Sequence, residues 1–258
     1  MKGTAKIIKY TLQDLLRSRV TISYAAFLLI VGFVVFNLDT DVTKGILSLV
    51  NIILLVVPLV SIIFSTIHMY NSSEFTELLL ARPLERRRIL IGQFLGLSAA
   101  MSSALLTGLG IPVLLYSPNE TGITLLISAL LLTIIFVSIA MLASVATRDK
   151  AKGIGIAILL WFFFTLIYDG IVLWILFRFN DYPLENPMLL MTALNPVDIT
   201  RILLLLQIDL SAFMGYTGAL YKDHFGTSTG MIITAVTLLC WIIIPMFFAV
   251  RIFSKKDI

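Results

Sequence analysis

The 258 residues are 59% hydrophobic and only 13% charged, with a mean hydropathy of +1.01, which excludes an ordinary soluble domain and places the chain among polytopic membrane proteins. The net charge of +4 is not a nucleic-acid signal, because the basic residues cluster at the ends of apolar runs. The single cysteine, Cys240, sits inside an apolar run, so there is no disulfide framework.

In chain order, residues 1–19 predict a basic amphipathic helix lying at the membrane interface. Ile7, Ile8, Leu12, Leu15 and Leu16 make its apolar face, and Lys2, Lys6, Lys9, Gln13, Arg17 and Arg19 its polar one. A full-length apolar span follows, so no cleavable leader is expected. Spans are expected at about 20–36, 45–70, 89–116, 121–146, 153–177 and 229–250, giving an all-α membrane protein of six transmembrane helices in a single transmembrane domain, 1–258. Pro58 falls inside the second span and predicts a bend there. Gly92, Gly96 and Ala100 recur every four residues in the third, as small residues do where helices pack closely in lipid. Asp169 falls near the outer end of the fifth and is expected at a water-exposed helix end.

Two stretches break the apolar pattern. The first, NSSEFTELLLARPLERRRILIGQ from Asn71 to Gln93, is the most charged part of the chain. It predicts a short amphipathic helix between the second and third spans, with Leu78, Leu79 and Leu80 facing the membrane or a partner. Pro83 ends the helix by pushing Arg82 out of the α region. Arg86, Arg87 and Arg88 hold the next span at the inner surface. A solvated loop would account for the arginines, but not for Glu-Leu-Leu-Leu placed just before Arg-Pro. The second stretch, 178–228, is expected on the outer side. It contains another amphipathic helix that starts at Asn195-Pro196, with Asn195 as its cap and Asp198 at the positive end of its dipole. Asp198, Arg201 and Asp209 form a polar stripe expected to face outward. Ile199, Ile202, Leu203, Leu206 and Leu210 form an apolar one, and Gly215 is the expected stop.

Of the 19 Lys and Arg residues, only Lys44, Arg178, Arg201 and Lys222 fall on the outer side in this topology. That asymmetry predicts six spans with both termini in the cytoplasm. No Gly-x-x-x-x-Gly-Lys-Ser/Thr phosphate cradle occurs, so any ATP must bind another chain. His68 and His224 fall on opposite sides, so a paired catalytic or metal site is not expected, and the chain reads as a non-enzyme. Met188, Met191, Met214 and His224 are donors a copper ion accepts, but methionine more often fills apolar gaps. No metal and no cofactor are assigned.

The first charged stretch resembles the cytoplasmic coupling segment of type-2 ABC transporter permeases. The residues that carry the likeness are Glu77, Leu78, Leu79, Leu80, Pro83, Arg86, Ile89, Leu90 and Gly92; where that family has Gly-Thr, this chain has Glu74-Phe75. The resemblance implies an ATPase-coupling role for Glu74, Glu77, Leu78, Leu79, Arg82, Pro83 and Arg86, with the second inner loop, Arg148, Asp149 and Lys150, beside them. Within that family, LNPVDITRILLLLQIDLSAFMGYTGALY is similar to the outer segment of the NosY-type permeases, through Asn195, Pro196, Asp198, Arg201, Ile202, Gly215, Tyr216 and Gly218. Such permeases belong to the transporter that supports assembly of the copper centre of nitrous oxide reductase. The implied partners are cytoplasmic ATPase subunits carrying ATP and Mg, a second copy of the chain, and a periplasmic accessory protein docked at Asp198, Arg201 and Asp209. The bilayer is the remaining partner, and nucleic acid is not one. A type-2 exporter of a drug, lipid or peptide is the alternative within the class. An intramembrane enzyme and a passive scaffold are the alternatives outside it.

Overall fold

The computed structural model describes residues 2–38, 42–81, 85–179, 185–207 and 228–255. Every regular element among them is helical. We number the helices α1 (Lys2–Leu16), α2 (Arg19–Leu38), α3 (Val42–Asn71), α4 (Ser73–Leu80), α5 (Arg86–Tyr116), α6 (Glu120–Ala146), α7 (Lys150–Arg178), α8 (Glu185–Ala193), α9 (Pro196–Gln207) and α10 (Ser228–Lys255). Six of these, α2, α3, α5, α6, α7 and α10, are long and apolar enough to cross a membrane. Each begins a little earlier than its apolar run or ends a little later. α2, for example, extends the expected 20–36 to the 20 residues a hydrocarbon core requires.

α6 is the centre of the bundle. In its apolar window 72% of residues are buried, against 33% in α2, 28% in α10 and 17% in α7, which are therefore peripheral. Leu125, Ala129, Leu132, Ile135, Phe136, Ala140 and Met141 of α6 form the middle of one continuous core. Two of its hydroxyls are accommodated without charge: Thr133 and Ser144 donate to carbonyls one turn back in their own helix, at 2.9 and 2.7 Å.

Three spans contain proline, α3, α5 and α10, and in α3 and α10 the neighbouring span intervenes at the same relative position. Pro58 has no N–H to offer the Leu54 carbonyl, and Pro245 none to offer Trp241, so both helices are loosened there. In α3 the Leu55 carbonyl accepts from Trp161 Nε1 of α7 at 3.1 Å. In α10 the Ile242 carbonyl accepts from Ser138 Oγ of α6 at 2.7 Å. In each case a donor from the next helix reaches the carbonyl adjacent to the one the proline leaves without an N–H.

α1 does more than lie at an interface: it packs along the start of α5. Ile7, Thr11 and Leu15 are buried, while Leu16, expected on the apolar face, is 43% exposed. The contact depends on Gly92 and Gly96. A Cβ on Gly92 would lie 2.9 Å from Ile7 Cγ2, and one on Gly96 would lie 2.8 Å from Thr11 Cβ. The four-residue spacing of small residues thus marks a helix seat, as it does where membrane helices pack closely.

Candidate functional site

The end of the bundle that carries α1, α4, the 147–149 connection and the last turn of α10 also carries most of the basic residues; we call it the basic end. α3 runs to Asn71, the chain pivots at Ser72, and α4 begins at Ser73. Thr76 is the one buried residue of α4. Its hydroxyl donates to the Ser72 carbonyl (2.8 Å) and accepts from Gln93 Nε2 of α5 (2.7 Å). Gln93 is 1% exposed, so this bond pins α4 to the bundle in a dry place.

The opposite face of α4 is open. Glu74, Phe75, Glu77 and Leu78 are exposed, Leu78 by 69%, and Leu79 is half-buried. Leu80 differs from expectation: it packs against the main core, because it lies four residues from Thr76 on the inward side. Arg86 is the first residue of α5. Arg82 and Pro83 lie outside the described residues.

The second inner loop is joined to this helix junction. The Tyr70 hydroxyl hydrogen-bonds the Thr147 hydroxyl, and Lys150 Nζ donates to Asn71 Oδ1 at 2.8 Å. Gly153 is required there, since any Cβ would collide with the Tyr70 ring. Asp149 caps α7 by accepting from Lys152 N at 2.9 Å. Arg148 and Glu77 line a cavity of about 360 Å³ between α4, the loop and Phe253 of α10. The structure therefore brings the α4 residues and Arg148, Asp149 and Lys150 into one surface. Sequence reading missed its fasteners, Tyr70, Thr76 and Gln93. Only Gln93, an amide inside an apolar run, left a signal.

At the other end, α8 and α9 are bent against each other by 108°. Asn195 makes the bend and is fully buried. Its Oδ1 accepts from Val197 N (3.0 Å), the expected cap. Its Nδ2 donates to the Phe164 carbonyl (2.9 Å), within the π-helical turn Phe163–Ile167 at the midpoint of α7. Two further bonds hold the pair: Tyr168 hydroxyl to the Met191 carbonyl, 2.6 Å, and Trp241 Nε1 to the Ala193 carbonyl, 3.1 Å. The second helix of the pair, α9, consequently dips into the bundle and packs on α6, α10 and α3.

This placement corrects two expectations. Asp198 does not face outward; it is only 9% exposed. Asp169 is not a free helix end. A single nitrogen, Arg201 Nη1, bridges Asp169 Oδ2 (2.8 Å) and Asp198 Oδ1 (3.0 Å). Spacing showed that Asp198 and Arg201 share a helix side, but not that a carboxylate of the fifth span closes the group. Asp209, Gly215, Met214 and His224 lie outside the described residues. Met188 fills an apolar gap beside Ile202.

Six apolar spans, a short protruding helix between the second and third, and a bent helix pair before the last define a multi-pass membrane protein built as a permease. Residues 46–258 match the sequence model of the family described as ABC-2 family transporter protein, and the chain belongs to that family. It is an ABC-2-type permease subunit of an ABC transporter. Among curated proteins it is similar to a probable ABC transporter permease protein NosY of Stutzerimonas stutzeri, 29% identical over 84% of this chain and 82% of that one. It is also 31% identical to a protein of the same name from Pseudomonas aeruginosa, over 81% of this chain and 84% of the relative.

Proposed function

We propose that this permease serves the transporter that supports copper-centre assembly of nitrous oxide reductase, passing work from ATPase subunits at its basic end to an accessory protein at the other. In this reading the basic end is cytoplasmic, both termini lie there, and two copies of the chain form the membrane part of the complex in an inner membrane. ATP and Mg belong to the ATPase chains. The observation that carries the coupling role is the joining of the end of α3, from which α4 springs, to the 147–149 loop through Tyr70, Thr147, Asn71 and Lys150, with α4 pinned to α5 by Thr76 and Gln93 and its Glu74, Glu77 and Leu78 left open. A push on the open face reaches α3, α5, α6 and α7 together. The accessory protein would sit on the segment between the fifth and sixth spans, and Arg201 would brace that seat from within rather than touch the partner. The names of the two relatives and the likeness of residues 194–221 to NosY-type permeases support the link to the copper enzyme.

The test is Glu77→Lys in the full complex. Reversed charge on the open face is expected to weaken ATPase copurification about tenfold through lost charge complementarity, and to lower the copper content and activity of nitrous oxide reductase in cells. Normal ATPase capture with normal ATP turnover would refute coupling through α4. Weakened capture with a fully active reductase would favour the alternative, an exporter of a drug, lipid or peptide.

A further inference from the structure

The bent α8–α9 pair is closed against α7 by three charged side chains of unequal sign. Arg201 Nη1 donates to Asp169 Oδ2 at 2.8 Å and to Asp198 Oδ1 at 3.0 Å, so one cation stands between two carboxylates. The Asp198 carboxyl is also close enough to that of Asp169 to hydrogen-bond it. Two ionised carboxylates cannot make that bond, since neither has a proton to donate. With both ionised, the group would hold a net negative charge beside Asn195, Val197 and Ile199, all buried.

The surrounding helices do not offset that charge. α9 packs on α3, α6, α8, α10 and the π-helical turn of α7. Among the described residues, Glu120 is the only charged group of α6 and Glu185 the only one of α8. α10 has none before Arg251, and the half of α3 before Pro58 has Lys44 alone. Beyond its π-helical turn, α7 has Asp169, Arg178 and the neutral Tyr168, whose hydroxyl is engaged by the Met191 carbonyl. Of all these charges, only Asp169 and Arg201 act on Asp198.

A proton shared by the two carboxyls belongs on the drier one. The Asp198 side chain is 12% exposed and that of Asp169 32%. Burial, and then the Asp169 carboxylate, push the Asp198 carboxyl up to about 7, with Arg201 pulling the other way. Water reaches the group through the exposed third of Asp169 and Arg201, so the proton can exchange.

We propose that Asp198 holds a proton while the α8–α9 pair is docked, and that loss of this proton to water loosens the pair, so that this end of the permease carries a pH-sensitive latch. Docked, Asp198 gives up its proton only near neutral pH. Undocked and hydrated, it does so in the ordinary carboxylate range, about 4. Between those limits the docked form holds one more proton, and each unit rise in pH favours undocking about tenfold. Above the upper limit neither form holds it, and the balance is flat. The latch is a property of this chain alone. Its consequence for the accessory protein, a seat firm in acid and slack in alkali, rests on the proposed function.

The test is hydrogen–deuterium exchange of the full-length permease in mild detergent, corrected for the intrinsic pH dependence of exchange. Residues 196–207 report undocking, and α6 is the internal reference. In the unaltered chain, exchange over 196–207 is expected to rise at least tenfold from pH 5 to pH 7 and to level off above pH 8, while α6 holds steady. Asp198→Asn, which cannot ionise, is expected to keep the acid level of protection throughout. Asp169→Asn, which removes the like charge, is expected to move the rise to lower pH. A flat profile in the unaltered chain, or a rise that Asp198→Asn leaves in place, overturns the proposal. If Asp198→Asn does not fold, Asp169→Asn decides alone: a rise that stays at the original pH overturns the latch.

Discussion

Asn195 performs three tasks with one amide: it caps α9, forms the bend, and satisfies a carbonyl of the π-helical turn in α7. Arg201 likewise serves two carboxylates with one nitrogen. Arg201→Met would leave Asp169 and Asp198 facing each other. The expected cost is about 2 kcal/mol, below the 3–5 of a fully buried pair because roughly a third of Asp169 is solvated, although Asp198 is not. The check is the thermal midpoint of the purified permease; Asp169→Asn should cost less, since Arg201 keeps Asp198. The cap at Asn195 was legible because Asn-Pro-x-Asp is a local signal. The ion cluster was not, because its members are 32 residues apart and only the bend brings them together.

Among elements, hydropathy located the six spans because length and apolarity are properties of each segment alone. It could not say which helix is central, since α6 and α7 read alike in sequence yet differ more than fourfold in burial. α4 was legible from its charge and leucines, whereas its fastening to α5 through Thr76 and Gln93, and that of the α3 end to the 147–149 loop through Tyr70, depend on residues with no pattern of their own. α1 lies between these cases: its amphipathic face was visible, and so was the Gly92–Gly96 spacing, but nothing in sequence joined the two. Gly96→Leu tests that junction. The larger side chain must displace Thr11, so α1 should lift and trypsin should cut after Arg17 and Arg19 at least several times faster, with the spans still inserted. An unchanged cleavage rate would mean that α1 is held elsewhere.

For the molecule as a whole, the charge asymmetry makes one global statement that can be checked directly. In a Cys240→Ser background, a cysteine at Asn119 should react with an impermeant thiol reagent applied from the periplasmic side, and one at Asp149 should not. The reverse pattern would invert the proposed assignment of ATPase and accessory partner together. The two proline positions carry a different consequence, one for heredity. Because Trp161 donates to the carbonyl three residues before Pro58, and Ser138 to the carbonyl three before Pro245, each proline and its donor form a genetic unit. Pro58→Ala alone would restore an N–H to α3 and draw its carbonyls back into the helix, stranding the indole N–H of Trp161. Trp161→Phe alone would take from the Leu55 carbonyl its donor in α7. Each single change should therefore cost about 1–3 kcal/mol, and the double variant less than their sum. Drift across such a pair must pass through a valley, so in diverging descendants proline and donor should be lost together or kept together.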